Sequence, residues 1–259
     1  MRGESSTVSD TALLEALGAR TGVVCMVGAG GKKSTMYRLA QAHDGRVAVT
    51  TTVHIPPFPT WLDADPVVTD AAELGALVLA AARQRKRIAY ATRTDKPGRF
   101  GGVAAHTVAQ LHLQAKFDVT LVKADGARRK YIKGPGGRQP IVPDNAATVI
   151  PVVSALVAGK PLEQRSAHYV ENMAALLGLQ PGEILKPLHV AKTLAAYVQG
   201  AWLPAGAQLV PLINMAEDQA SRSAAAEIAA ALLELVPRVT RVVIAHMQAN
   251  DPLVAVVAR

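Results

Sequence analysis

The chain has 259 residues, of which 50% are hydrophobic and only 4% aromatic, and it carries a formal net charge of +8. Such a length suits one large α/β domain, or one with a smaller appendage, whose core must be built from Val, Leu, Ile and Ala. The lone cysteine, Cys25, excludes a disulfide framework or a cysteine-rich metal site, and no run approaches the roughly 18 apolar residues of a membrane span.

Residues 1–20 carry Glu4, Asp10 and Glu15 without the apolar segment of a signal peptide, so a separate N-terminal segment and a cytoplasmic protein are expected. An apolar strand, 22–28, then stops at Gly28-Ala29-Gly30-Gly31. Lys32-Lys33-Ser34-Thr35 follow, and a helical pattern runs over about 33–43. Strand, glycine turn and helix start make a phosphate cradle: glycine admits backbone N–H groups facing a ligand, and the helix N-terminus adds partial positive charge. Lysine supplies a mobile full charge to the outer phosphates. The spacing departs from the common P-loop and matches the short form, GxxGK, found in Mur-type ligases. The position that normally offers magnesium a hydroxyl is Lys33, so either Ser34 takes that role or the metal is held less directly. The competing reading is a glycine turn that joins strand to helix and binds nothing.

Further strands are expected at 46–52, 66–69, 87–92, 118–124, 147–153, 208–214, 239–246 and 253–257. Helices are expected at about 71–84, 105–116, 169–178, 187–199 and 219–235. Helix 219–235 shows a stripe of Ala220, Ala224, Ile228, Leu232 and Leu235. This alternation predicts a mostly parallel sheet flanked by helices, with residues 21–259 as one nucleotide-binding domain and a subdivision near 155 left open.

Parallel α/β sheets bind ligands at the carboxyl ends of their strands. There, Thr51 and Thr52 end the second strand and offer hydroxyls to a phosphate, although threonine runs also simply favour strands. His54 is a proton-transfer candidate by position alone. The strand Asp118–Ala124 runs into Asp125-Gly126, where a carboxylate is placed to hold magnesium opposite the lysine loop; a turn aspartate is the structural alternative. Downstream lie Arg128, Arg129, Lys130, Lys133 and Arg138, cations that suit a polyphosphate better than nucleic acid. Late in the chain, Asn214 with Glu217 or Asp218 resembles a base-reading NKxD loop; an Asn turn before a helix N-cap explains the same residues.

Taken together, the chain resembles the YqeC-type family, accessory proteins of selenium-dependent molybdenum hydroxylases. VGAGGKKSTMYRLA at 27–40, VTTTVHI at 49–55, VKADGARRKYIKGPGGRQPIVP at 122–143 and PLINMAED at 211–218 carry the likeness, with the stretch 152–171 between the last two. The resemblance implies a P-loop NTPase-like fold and a role in delivering or inserting a selenium-containing molybdenum cofactor. Two positions depart from the family pattern: Lys33 stands where threonine is usual, and Lys123 where glutamate is usual.

Three functions compete on these residues. In a nucleotide-binding accessory protein, ATP or GTP with Mg2+ occupies Gly28, Ala29, Gly30, Gly31, Lys32, Lys33, Ser34 and Thr35, with Thr51, Thr52, Asn214 and Asp218 around them. In a phosphoryl- or nucleotidyl-transferring enzyme, Lys32, Asp125, His54 and Arg128 act on a cofactor precursor, and Ser34 and Asp125 hold the metal. A nucleic-acid-binding protein is the third, and the basic segments lack the stacking aromatics it needs.

Overall fold

The structure, a computed structural model, describes residues 5–259, with side chains from residue 9 onward. The segment expected to stand apart before residue 21 carries a helix, α1 (Ser5–Ala16), whose Leu13 and Leu14, with Leu17 just beyond, are buried; residues 1–4 of that expectation lie outside the described residues. There follow β1 (Gly22–Gly28), α2 (Lys32–Ala42), β2 (Val47–Thr51), β3 (Asp65–Thr69), α3 (Ala71–Gln84), β4 (Arg87–Thr92), α4 (Ala105–Gln114) and β5 (Val119–Lys123). The second half holds β6 (Ile132–Lys133), β7 (Ala146–Ser154), β8 (Ala167–His168), α5 (Val170–Leu177), α6 (Pro187–Val198), β9 (Gln208–Leu209), β10 (Leu212–Asn214), α7 (Gln219–Leu235), β11 (Arg241–Ala245) and β12 (Leu253–Ala258).

The main sheet runs β12-β11-β10-β7-β1-β5-β2-β4-β3, parallel throughout except for β12, and β9 adds to β7. This is the expected mostly parallel sheet flanked by helices, consistent with a P-loop NTPase-like fold, and strands from before and after residue 155 share it. Alternation along β1 separates the two cores. Val23, Cys25 and Val27 pack with α3 to α7, whereas Val24 and Met26 pack with α1 and α2. Helix α7 has the expected bounds but a different buried stripe: Ser221, Ala225, Ile228, Ala229, Leu232 and Leu233 face inward, while Ala220 and Leu235 are exposed. The strand expected over 208–214 is broken into β9 and β10 around Pro211, which has no N–H to give a ladder.

Order along the sheet fixes where a ligand fits. From β1 the chain crosses over to β2, with β5 later inserted between them, and after β5 it turns to β7 on the other side of β1. The carboxyl ends of these strands meet beside this reversal, so the loops after Gly28, Thr51, Lys123, Ser154 and Asn214 converge there. A second, two-stranded sheet of β6 and β8 sits over that edge and carries Lys133 and His168.

Candidate anion-binding site

The loop after β1 is possible only with glycine. Gly28, Gly30 and Gly31 have φ of 88°, 83° and 120°, in the region that side-chain-bearing residues avoid. A Cβ on Gly28 or Gly30 would overlap the backbone of Val152 or Ser154 in β7, and one on Gly31 the Asn214 amide. The Gly28 N–H donates to Asp125 Oδ2 (2.9 Å), Ala29 N–H to the Val152 carbonyl (2.9 Å) and Gly30 N–H to the Lys130 carbonyl (3.0 Å). The first three loop amides are therefore spent on holding the loop. A ligand is left the amides from Gly31 through Ser34, at the α2 N-terminus, where a helix has no internal acceptors.

Beneath the loop lies a cluster with more cations than acids. Asp125 is fully buried, with Lys32 Nζ 2.7 Å from Oδ1 and Lys133 Nζ 3.2 Å from Oδ2. Its Oδ2 also accepts from Tyr197 OH (3.3 Å), and Lys32 donates to the Gly28 carbonyl. Burial alone would raise the Asp125 carboxyl; Lys32 and Lys133 outweigh it and hold the group below the usual carboxylate range. Burial also lowers Lys32, and raises Tyr197 together with the adjacent Asp125 charge. Lys123, only 7% exposed, donates to the His54 carbonyl at 2.9 Å and has no carboxylate within ion-pair distance among the described residues.

Over this cluster opens a cleft of about 820 Å³. Its floor is Ala29 to Ser34, and its walls bring Lys96 and Arg99 from the loop after β4, Lys123 from β5, and Arg128, Arg129 and Lys130 from the next loop. Arg128 and Arg129 hold φ of 43° and 61°, a strained pair that turns this basic segment over the cleft. Lys33, half-buried, is lowered by burial and then by Arg129 and Arg99, which places three cations around one space. His54, Tyr131, Gln139, His168 and Tyr169 also line it, and among the described residues no aspartate or glutamate does.

Several residues expected at the site are placed elsewhere. Thr51 Oγ1 donates to backbone carbonyls of Val53 and Lys123, and Thr52 Oγ1 donates to that of Ile141, so neither hydroxyl is free for phosphate. Thr35 is buried and donates to the Gly31 carbonyl at 3.2 Å, back into its own helix. Asn214 Nδ2 braces the Gly30 carbonyl (2.9 Å) and its Oδ1 accepts from Met247 N–H (3.1 Å), which makes it a support of the loop rather than a reader of bases. Asp218 is the N-cap of α7, accepting from Ser221 N–H at 2.8 Å. Ser34, Lys32, Lys33, His54 and Arg128 do line the cleft. Asp125 does not, being enclosed below by its two lysines.

This donor set does not fit a magnesium ion held by the protein. Hard divalent cations take carboxylate oxygens, yet among the described residues the nearest carboxylate is neutralised by two ammonium groups, and Ser34 has no acidic neighbour in the cleft. What the arrangement can do is bind a multiply charged anion through side-chain cations and helix-terminal amides.

Lys96 and Arg99 escaped the sequence reading, although a basic Asp-Lys-Pro-Gly-Arg loop directly after a strand's carboxyl end was the available signal. Tyr197 gave none, since only the three-dimensional packing of α6 brings it to Asp125.

Lys123 is expected to make anion binding in this cleft pH-dependent. Burial, with Lys32 the next cause, pushes its pKa down to about 7. A bound anion favours the protonated form, so binding takes up a proton, is strongest below about pH 7 and weakens as pH rises through it. Sulfate, which does not titrate in this range, is the suitable probe. Its affinity measured by calorimetry is expected to fall between about pH 6 and pH 8, and the slope is expected to flatten in Lys123→Met but persist in His54→Gln. A slope that survives Lys123→Met assigns the proton to another group.

A family model described as "YqeC protein" matches residues 24–171, a span holding the glycine loop, Asp125, Lys133 and His168. The chain is also 30% identical over 220 residues to a protein of Escherichia coli (strain K12) described as "Uncharacterized protein YqeC", across 81% of this chain and 82% of the relative.

Proposed function

This chain belongs to the YqeC family, and from that membership we propose that it is a nucleotide-binding accessory protein whose own cations take the place of a protein-held magnesium. The observation that carries this reading is the charge beneath and around the cleft. Lys32, Lys123 and Lys133 are buried, Asp125 pairs with Lys32 and Lys133, and the cleft above them adds Lys33, Lys96, Arg99, Arg128, Arg129 and Lys130 with no acid among the described residues. Buried excess charge is costly unless something of opposite sign is present for part of the working cycle. A diphosphate or triphosphate supplies that charge and fits the Gly31–Ser34 amides.

The same features favour binding over turnover. Hydrolysis of a terminal phosphate needs a group to orient the attacking water and charge aimed at the transferring phosphoryl. The cations meet the second need, but among the described residues the cleft offers no carboxylate for the first, and His54 is exposed with a long contact of 3.4 Å to Thr94 Oγ1. Nucleotide occupancy is then a state of the protein to be read by a partner. The setting, maturation of a selenium-dependent molybdenum hydroxylase, rests on the resemblance of the four sequence blocks to the YqeC-type pattern.

Titration of ATP, GTP and CTP with and without magnesium, followed for phosphate release, tests this reading. Binding in both conditions with release in neither is expected. Release that appears only with magnesium, at rates of about 1 per second or more, would replace the accessory reading with an enzymatic one.

A further inference from the structure

The cleft has a second chamber that the phosphate reading does not use. A pocket of about 430 Å³ lies beyond His168 and Tyr169, bounded by the Gly134–Gly137 loop, Arg138, Gln139, Asn172, Met173 and Leu176. Gln139, His168 and Tyr169 line both chambers, so a ligand can extend from one to the other. Between them stands an aromatic platform: the rings of His168 and Tyr169 are stacked at 3.9 Å with 21° between planes.

We propose that this pocket is a ring-binding subsite, taking the flat heteroaromatic end of a phosphorylated ligand whose phosphates lie on the Gly31–Ser34 amides. The proposal rests on the phosphate-binding reading above and adds the position of the rest of the ligand. Four observations on the pocket support it. Tyr169 is 53% exposed and holds φ 60°, a strained conformation that turns its ring outward rather than into the core. Met173 and Leu176 give the pocket an apolar side, while Arg138, Gln139 and Asn172 give it polar edges, a mixture suited to a ring bearing hydrogen-bonding groups. Gln139 already uses Oε1 to accept from Gly126 N–H (2.9 Å) and Lys133 Nζ (3.3 Å), which fixes its amide and leaves the NH2 to donate. Finally, a Cβ on Gly134 would come 3.1 Å from both Met173 Sδ and Leu176 Cδ2, so a larger residue there would press on the pocket's apolar side.

The other place for a ring, the Asn214–Asp218 loop, is already engaged: Asn214 braces the phosphate loop and Asp218 caps α7. Recognition by stacking with a few polar contacts is tolerant of ring identity, so the class assigned is a flat nitrogen heteroaromatic joined to a diphosphate or longer chain.

The test compares pyrophosphate with ADP, GDP and CDP by calorimetry on the full chain. The wild type is expected to bind at least one nucleoside diphosphate about tenfold more tightly than pyrophosphate, a gain typical of one stacked ring. Tyr169→Gly, which accepts φ 60° without strain, is expected to remove that gain, so that the nucleoside diphosphate binds no more tightly than pyrophosphate to the same variant. Tyr169→Phe is expected to keep the gain. Pyrophosphate that binds while no ring adds affinity, or a gain that survives Tyr169→Gly, overturns the subsite and leaves the phosphate reading standing. Failure of the wild type to bind pyrophosphate at all overturns both.

Discussion

Asp125→Ala is expected to lower the stability of the chain by about 3–5 kcal/mol, the penalty for leaving buried charge without its partner. Here one carboxylate answers two ammonium groups, Lys32 at 2.7 Å and Lys133 at 3.2 Å, and also anchors the Gly28 amide at 2.9 Å. Its loss strands Lys32, Lys133 and the start of the glycine loop at once. Urea unfolding measures the effect as a shift of midpoint at constant slope. Lys133→Met, by contrast, leaves the Lys32 pair intact and is expected to cost less. In the double variant the two changes are expected to be strongly non-additive, because they remove members of one network. A loss below about 1 kcal/mol for Asp125→Ala would mean that the lysines find water or another partner, and the buried excess of positive charge would lose its meaning.

The second large effect separates the two lysines of the loop. Lys32 is 5% exposed and committed to Asp125 and the Gly28 carbonyl; Lys33 is half-buried in the cleft with Arg129 and Arg99 and has no carboxylate partner among the described residues. Lys33 therefore has the freer charge, contrary to the simplest reading of a Gly-Lys pair, in which Lys32 alone grips phosphate. Lys33→Ala is expected to weaken pyrophosphate binding about tenfold or more, in line with one charge-assisted hydrogen bond of about 1.5–3 kcal/mol, with unchanged unfolding. Lys32→Ala is expected to weaken binding and also to lower stability, since Asp125 then loses the closer of its two cations and keeps Lys133, the Gly28 N–H and Tyr197 OH, all on Oδ2. The combination of calorimetry and unfolding decides the matter. A Lys33→Ala variant that binds as the wild type does would place its side chain in solvent.

The strand, glycine turn and helix of residues 22–42 were legible because their signals are local: an apolar run, glycines at positions of positive φ, and cations at a helix start. The alternation of strands and helices was legible for the same reason, and it fixed the sheet and the edge at which to look. Helix α1 was not, since residues 1–20 show no strong apolar stripe, and among the described residues of that stretch Leu13, Leu14, Leu17 and Ala19 are buried. Two-residue strands such as β6 and β8 carry no periodicity, so the small sheet that delivers Lys133 and His168 had no signature. The direction of Asp125 was equally hidden. A strand-end aspartate can face the cleft or the core, and the choice here is made by Lys133 and Tyr197, the latter 72 residues away in sequence. Thr51 at the end of β2 and Thr52 just after it show the converse: their hydroxyls suit a phosphate by position, but nearby carbonyls bind them first.

Calorimetric titration of the full chain with ATP in excess EDTA tests the central claim most directly, because it asks whether the protein's cations suffice for the phosphates without a metal. The account predicts saturable one-site binding, weakened by rising salt as exposed cations are screened and little changed when magnesium is restored. Binding that vanishes in EDTA and returns only with magnesium would contradict it.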